Sequence, residues 1–501
     1  MNAYTTHDIH GKPYNRNLMI LLLLVATFAG VLNQTSLGTA IPTLMKSFHI
    51  SMSTAQQATT WFLLANGIMI PVSAFLATRF STKKLYISAY SLIILGLLIT
   101  TFTPTSNWSI FLFGRIIQAC GVGITMPLMQ VVMVNVFPAE ERGAAMGLNG
   151  LVVGLAPAVG PTLAGWILKQ DFIFYHTHLL WRAIFILPLI ILIITLIFSP
   201  FIIKDVIANE AISLDMVSLL LSVLGFGSFL WGFSNVASHG WSDPIHVIVP
   251  ILLGIAIIAL FALKQLHMKR PFLNVAIFKN KQFSVTTAAI AFAMMAMMGV
   301  EMMLAPYMQN VHGLSALQSG LALLPGALVM GIVSPIAGKV YDKIGARPMA
   351  LIGFSILAIG TIPFIFFSAD MPVHFITLLY AVRMFGIAVV LMPLTASAMS
   401  ALPPHQASHA TAANNTVRQI ASAVVVALLS SVTQNIINTH KPLDNLKLDD
   451  PIQYANQTIE ASLDGFHASF AIGVAFAIIG FLISLLLRKG KVIATEKGEQ
   501  E

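Results

Sequence analysis

An all-α membrane protein with fourteen transmembrane helices is the fold class this sequence predicts, on three observations. Only 9 % of its 501 residues are charged and 57 % are hydrophobic, where a soluble protein carries about a quarter charged residues. The apolar residues gather in fourteen long runs, and a helix needs about 20 of them to cross hydrocarbon. The runs are too long for barrel strands and lack a period-two alternation. With so little polar surface to cover itself, the chain takes lipid as its solvent.

In chain order the spans fall at 18–41, 58–78, 85–102, 108–136, 144–168, 180–198 and 216–236, then at 245–266, 283–307, 317–339, 349–367, 373–399, 407–432 and 466–487. The first is too long for a signal-peptide core and lacks a small-residue cleavage site, so it is retained. The fifth carries Gly147, Gly154, Gly160 and Gly165 with Pro157 and Pro161, which permit close packing and bending. A basic link, 268–282, leads into the ninth. The longest polar loop, 434–465, precedes the fourteenth. It holds Asp444, Asp449, Asp450, Glu460 and Asp464 against Lys441 and Lys447, and reads either as an acidic vestibule for cations or as a solvated loop. The lone Cys120 excludes an internal disulfide.

The net charge of +8 is a topology signal, not a nucleic-acid patch. Of the 27 basic residues, Lys46, Lys169, Arg182, Lys441 and Lys447 lie on one side and Arg115, Arg383 and Arg418 inside the runs. The rest lie on the side of the termini, among them Arg79, Lys83, Lys343 and Arg347. The positive-inside rule makes that side cytoplasmic. Fourteen crossings then leave both termini in the cytoplasm.

Two stretches repeat. Residues 74–83 follow the second span and 338–347 the tenth, matching Arg79 to Lys343 and Lys83 to Arg347 at an offset of 264. Arg115 and Arg383, in the fourth and twelfth spans, stand 268 apart. Both pairs are separated by eight spans. The simplest organisation is a six-helix bundle (1–203), two inserted helices (204–267) and a second bundle of the same orientation (268–501) with 434–465 outside. Parallel halves of this kind handle substrate near the midplane between them.

At these residues the chain resembles the major facilitator superfamily. Gly338-x-Val-x-Asp342-Lys343-x-Gly345-x-Arg347 is similar to its signature cytoplasmic loop. In the first copy Thr78 stands where Asp is usual, and Ser81 and Thr82 replace Gly and Arg. Arg115, Gln118, Gly121 and Gly123 resemble the family's arginine motif of the fourth span. Gly147, Ala156, Gly160, Pro161, Ala164 and Gly165 resemble the antiporter motif, with Ala at two of its Gly positions. Asn33-Gln34-Thr35 through Pro42, and Trp181-Arg182 opening the sixth span, resemble the fourteen-helix drug:proton antiporter branch, whose first-span motif commonly begins with Asp rather than Asn33. The resemblance implies a major facilitator fold and proton-coupled multidrug efflux. It also implies proton transfer involving Arg115, gating by Arg79, Lys83, Asp342, Lys343 and Arg347, and a bias toward antiport from Gly147, Gly160, Pro161 and Gly165.

Charges within hydrocarbon cost several kcal/mol and are functional candidates by default. Arg115, Glu301, Arg383 and Arg418 qualify, and Glu301 is the one carboxylate well inside a run. A carboxylate that takes and releases a proton as access alternates is what proton coupling requires. Once deprotonated it is also an anion able to hold a cationic compound, so one site can exchange the two. Asn33 shifted by the repeat offset falls at 297–301. Glu301 then carries the titratable role while Asn33 only hydrogen-bonds, and Asn33 and Gln34 are expected among the substrate-binding residues with Met294, Met298, Glu301 and Arg418. Otherwise Glu301 sits exposed near the outer mouth, or is locked to an arginine. Met294 and Met298 lie seven and three residues before Glu301 and share its face. Flexible methionine suits a surface accepting several shapes, or it fills a packing or lipid face. Arg115 reaches buried groups such as Gln118 and Asn33, structurally or for proton transfer. Arg418, with Asn414, Asn415 and Gln419, is either substrate-facing or a packing network. Asp342 binds helix ends or Arg347 and latches one access state; Thr78 supplies no charge, so the first-copy latch is weaker or differently made.

The expected function is proton-coupled export of hydrophobic, cationic compounds across a bacterial cell membrane by alternating access. The alternatives are export of one endogenous lipid-like compound or metabolite, and a non-transporting membrane sensor or partner. No G-x-x-x-x-G-K-[ST] loop is present, which argues against direct ATP drive. The expectation is a monomeric, non-enzymatic carrier powered by the proton gradient. Its partners are small hydrophobic or cationic substrates, protons and the bilayer, with no nucleic acid, metal or cofactor.

Overall fold

In the computed structural model, residues 5–50, 52–138, 141–169, 173–174, 177–178, 180–208, 215–268, 271, 273–403, 406–442 and 450–488 are described. Fourteen long helices run through them: α1 (Arg16–Phe48), α2 (Met52–Arg79), α3 (Thr82–Phe102), α4 (Trp108–Val136), α5 (Arg142–Lys169), α6 (Ala183–Ile202), α7 (Met216–His239), α8 (Val249–His267), α9 (Lys281–Asn310), α10 (Ala316–Ile344), α11 (Ala346–Thr361), α12 (Val373–Ser400), α13 (Ala407–His440) and α14 (Pro451–Ser484). Thirteen are long and apolar enough to cross a membrane on the described residues. The other, α5, has the length at 28 residues. Helices begin where a short polar side chain accepts the free N–H groups of the first turn. Asn15, Ser81, Asn107 and Asn280 do this, and Ser315 with Gln318 makes a full capping box.

The sequence repeat is also a packing repeat. α3 packs on α4 and α6 as α11 packs on α12 and α14. α1 meets α5 and α6 as α9 meets α13 and α14, and α2 lies on α4 as α10 lies on α12. Between these two sets, α5 packs along α10, and its counterpart pair is α2 with α13. The first contact is much the more extensive. The hairpin of α7 and α8 lies on the second, with α7 against both α2 and α13. At Gly67 of α2, an added Cβ would stand 2.6 Å from Leu230 of α7 and 3.1 Å from Gln419 of α13.

The hairpin is fastened at its base. Asp215 caps α7, and its carboxylate accepts from Ser218 and from the Lys264 ammonium of α8. Gln265 accepts from the Leu273 amide at 3.1 Å, and the Asn274 amide donates to His409 of α13 at 3.2 Å. The link after the hairpin is thereby tied to the start of α13.

The structure departs from the sequence reading in two places. First, most of the polar segment 434–465 is helical. α13 continues to His440, and α14 starts at Pro451 behind the Asp450 cap. Hydropathy reports contact with lipid and not helix formation. Once two helices are anchored in the bundle, polar residues continue them at little cost. His440 and Asp464 join the extensions at 2.8 Å, an exposed pair that contributes at most about 1 kcal/mol. Glu460 and Asp464 therefore stand on a helix, while Asp444, Lys447 and Asp449 lie outside the described residues, as do Lys269, Arg270 and Lys489. Second, the polar N-terminus forms a hairpin of β1 (Thr5–His7) and β2 (Pro13–Asn15). Its turn donates from the Ile9 amide to the Asp205 carbonyl at 3.0 Å. A smaller hairpin, β3 (Ile173–Phe174) with β4 (Thr177–His178), precedes α6.

Candidate functional site

Arg115 of α4 is fully buried. Its Nη1 donates to Gln118 Oε1 at 2.8 Å and to Asn33 Oδ1 of α1 at 3.4 Å. The Asn33 amide donates back to Gln118 Oε1 at 2.8 Å, and Gln118 donates to Thr100 of α3 at 2.7 Å. The guanidinium also lies 4.3 Å from the Phe62 ring centroid, a favourable cation–π position when water is excluded. Three helices thus share one neutral, amide-rich network around a cation. Arg115 Nε and Nη2 stay without a hydrogen-bond partner among the described residues. Gln34, the next residue of α1, makes no hydrogen bond to this network among the described residues.

Arg383 of α12 is equally buried and keeps different company. Its Nε donates to Thr361 Oγ1 of α11 at 2.8 Å, and its Nη2 to the Ala296 carbonyl of α9 at 3.0 Å. Glu301 of α9 is within charge–charge reach of this guanidinium and of the Tyr380 hydroxyl. The structure therefore brings Glu301 to Arg383 and Tyr380, and gives Arg115 to Asn33 and Gln118. The two groups expected to act together on protons, Glu301 and Arg115, belong to separate networks. Tyr380 and Thr361 were absent from the sequence reading. Tyr380 had a signal there: it precedes Arg383 by three residues and so shares its face of α12.

The same offset relates both networks: Asn33 and Glu301 are 268 residues apart, as are Arg115 and Arg383. The residue 268 after Gln118 is Gly386, so the second half has no amide at the place where the first half has its acceptor.

Arg418 of α13 is 9 % exposed and donates from Nη2 to the Met294 sulfur of α9 at 3.7 Å. Met294 is buried; Met298, one turn on, is partly buried against the same core. On the neighbouring face of α13, Asn415 donates to Gln130 of α4 at 3.0 Å. This polar stretch of α13 therefore turns one face to α9 and the next to α4 of the first half.

At the end of the bundle where α1 begins, Asp342 closes the α5–α10 contact. Its carboxylate accepts from the Gly143 amide and the Ala144 amide, each at 3.2 Å, at the start of α5. An acid there satisfies free N–H groups and the positive end of the helix dipole. Of the two partners considered for Asp342, the helix end is engaged; Arg347 makes no hydrogen bond or ion pair among the described residues, and Lys343 is exposed. Thr78 donates back to the Phe75 carbonyl within α2 and bonds to no other helix among the described residues. Arg79 lies over the Phe80 ring, and the Lys83 amide donates to Asp205 at 2.9 Å. The first copy is thus tied to the segment after α6.

Two glycines of α5 face different helices. A Cβ on Gly147 would stand 2.5 Å from the Pro335 backbone of α10, and one on Gly160 would stand 2.2 Å from Thr35 of α1. Gly165 is partly exposed. Pro161 lies in α5, its side chain outside the described residues. The glycine-rich motif therefore lets one helix approach α1 near one end and α10 near the other.

Residues 23–426 match the family model of the Major Facilitator Superfamily. The chain is 39 % identical over 482 residues to YcnB, an uncharacterized MFS-type transporter of Bacillus subtilis (strain 168), covering 96 % of this chain and 97 % of that one. It is 33 % identical over 477 residues to the lincomycin resistance protein LmrB of Listeria innocua, covering 94 % and 97 %. Among solved structures, the proton:xylose symporter XylE superposes with a TM-score of 0.60 at 15 % identity, covering 96 % of this chain and 98 % of that one, a likeness of fold.

Proposed function

The chain belongs to the Major Facilitator Superfamily, and from that premise we propose that it is a proton-coupled exporter of hydrophobic compounds, working by alternating access in the cytoplasmic membrane of a bacterium with both termini inside. The observation that carries this reading is the placement of Glu301. It is an acid in the interior of a membrane-spanning helix, beside a buried arginine and a phenol, at the repeat counterpart of Asn33. Such a group holds its proton when access opens to one side and releases it to the other. Its negative charge, once formed, is shared between Arg383 and any basic group on the cargo. The favoured cargo is therefore a hydrophobic compound whose cationic group competes with Arg383 for Glu301. LmrB is named for lincomycin resistance, which suits an exporter of drug-like compounds.

Asp342 of α10, bonded to the start of α5, holds the α5–α10 side shut at the terminal end, and its release belongs to the change of access. The test is ethidium efflux in everted vesicles, first with a proton gradient and then with the gradient collapsed. Gradient-dependent movement that other hydrophobic cations inhibit supports the reading. Movement indifferent to the gradient sinks it.

A further inference from the structure

The three arginines buried in the spans differ in how their charge is met. Arg115 has two amides and an aromatic ring, and Arg383 has a hydroxyl, a carbonyl and Glu301. Arg182, at the entrance to α6, donates to the Thr101 and Thr103 carbonyls at 3.0 and 2.8 Å, as an arginine used for packing does. Arg418 has only the Met294 sulfur among the described residues, and a thioether is a weak acceptor. Its residual exposure is 9 %, against 0 % for Arg115 and Arg383.

One turn earlier, Asn414 is fully buried and neither its Nδ2 nor its Oδ1 has a partner. Residues four apart share a helix face. A buried cation without a counter-charge and a buried amide without partners are each costly. Two at adjacent positions on one face describe a site that is complete only when occupied. The face lies at α9, beside the contacts of Asn415 with Gln130 and of Gln419 with Gly67. Those contacts, made by the adjoining face of α13, belong to the boundary between the two halves, so the site borders the region where carriers of this architecture handle substrate.

Resting on the reading of the chain as an exporter, we propose that Arg418 and Asn414 receive an acidic group of the cargo, a carboxylate or phosphate at the end of an apolar body. The planar guanidinium pairs with such a group through two parallel hydrogen bonds. The Asn414 amide adds a donor. Met294 and Met298 give the apolar body an adaptable surface. Met294 precedes Glu301 by seven residues, about 10 Å along α9. A compound with a basic and an acidic group separated by that length engages both ends.

The test uses the full-length protein in phosphatidylcholine nanodiscs and two fluorescent dansyl amphiphiles of identical tail, one ending in a carboxylate and the other in its carboxamide. The wild type is expected to bind the acid about tenfold more tightly than the amide. Arg418→Gln should erase that preference while amide affinity, which also reports folding, is kept. Asn414→Asp should erase it too by giving Arg418 an internal partner, and it serves where Arg418→Gln fails to fold. Equal binding of the two probes by the wild type, or a preference that survives both substitutions, overturns the proposal. Repeating the titration with phosphatidylglycerol in the disc separates the sources of the acid. Competition identifies a lipid headgroup, and its absence a soluble amphiphile. Wild-type vesicles without gradient-driven efflux would refute the transport reading and leave this preference standing. Efflux without the preference would do the reverse.

Discussion

Arg115 in α4 and Arg383 in α12 occupy matching places in the two halves, each wholly buried and each bonded to a threonine-bearing neighbour helix, directly for Arg383 and through Gln118 for Arg115. The residue offered from the first helix of each half differs: Asn33 from α1, Glu301 from α9. An amide cannot change charge and a carboxylate can. The same backbone arrangement therefore gives a fixed polar network in one half and a titratable one in the other. The loss of an acceptor at Gly386, where the first half has Gln118, goes with this. It leaves Arg383 to Thr361, the Ala296 carbonyl and Glu301.

The halves differ again at their two contacts with each other. On one side α5 and α10 meet backbone to backbone: a Cβ on Gly338 would stand 1.9 Å from the Gly143 carbonyl oxygen. On the other side α2 and α13 meet through side chains, share their groove with α7, and lack an acid at position 78. A contact made of rigid backbone separates as a unit, whereas one made of flexible side chains slides. The asymmetry fits a latch on the α5–α10 side and a bearing on the other.

The largest effect should come from removing the titratable difference between the halves. Glu301→Gln is expected to lower gradient-driven efflux about a hundredfold, and Asn33→Ala only a few-fold, by initial rates in everted vesicles. Equal losses would mean that the halves share the proton role, and full coupling in Glu301→Gln would remove it from Glu301. The next contrast concerns the two contacts. Gly338→Ala forces backbone apart and should cost about 1–3 kcal/mol in unfolding free energy. Gly67→Ala should cost less, because the Leu230 and Gln419 side chains it meets can turn aside. Thermal unfolding in detergent compares them, and equal shifts would deny the backbone character of the α5–α10 contact. The smallest effect belongs to Asp342→Asn. It keeps an acceptor for only one of the Gly143 and Ala144 amides, presents its NH2 group to the other and loses the charge at the helix end, a change of about 1 kcal/mol. It should alter efflux rates by less than tenfold while leaving substrate binding, read by probe fluorescence, unchanged; lost binding would count against a gating role.

Much of this was legible in the chain. Apolar runs placed all fourteen helices because a lipid solvent imposes length and composition on whatever crosses it. The offset between Arg115 and Arg383 announced the repeat, and adding it to Asn33 pointed to Glu301. The run lengths failed for α13 and α14, whose polar extensions continue the helices beyond the apolar runs. The partners failed as well. Nothing in the local sequence says that Arg383 rather than Arg115 faces Glu301, because that depends on which helix of which half turns its face inward.

By itself, then, the sequence determined the solvent, the number of crossings, the duplication and the few polar residues that hydrocarbon would not tolerate without cause. Those follow from one-dimensional quantities, composition and spacing. Only the tertiary structure decided how the buried charges are met: Arg115 by amides, Arg383 by Glu301, Arg418 among the described residues by little more than a sulfur. The physical reason is range. A buried guanidinium is satisfied by groups within about 3 Å, and those groups come from helices that lie tens to hundreds of residues away along the chain.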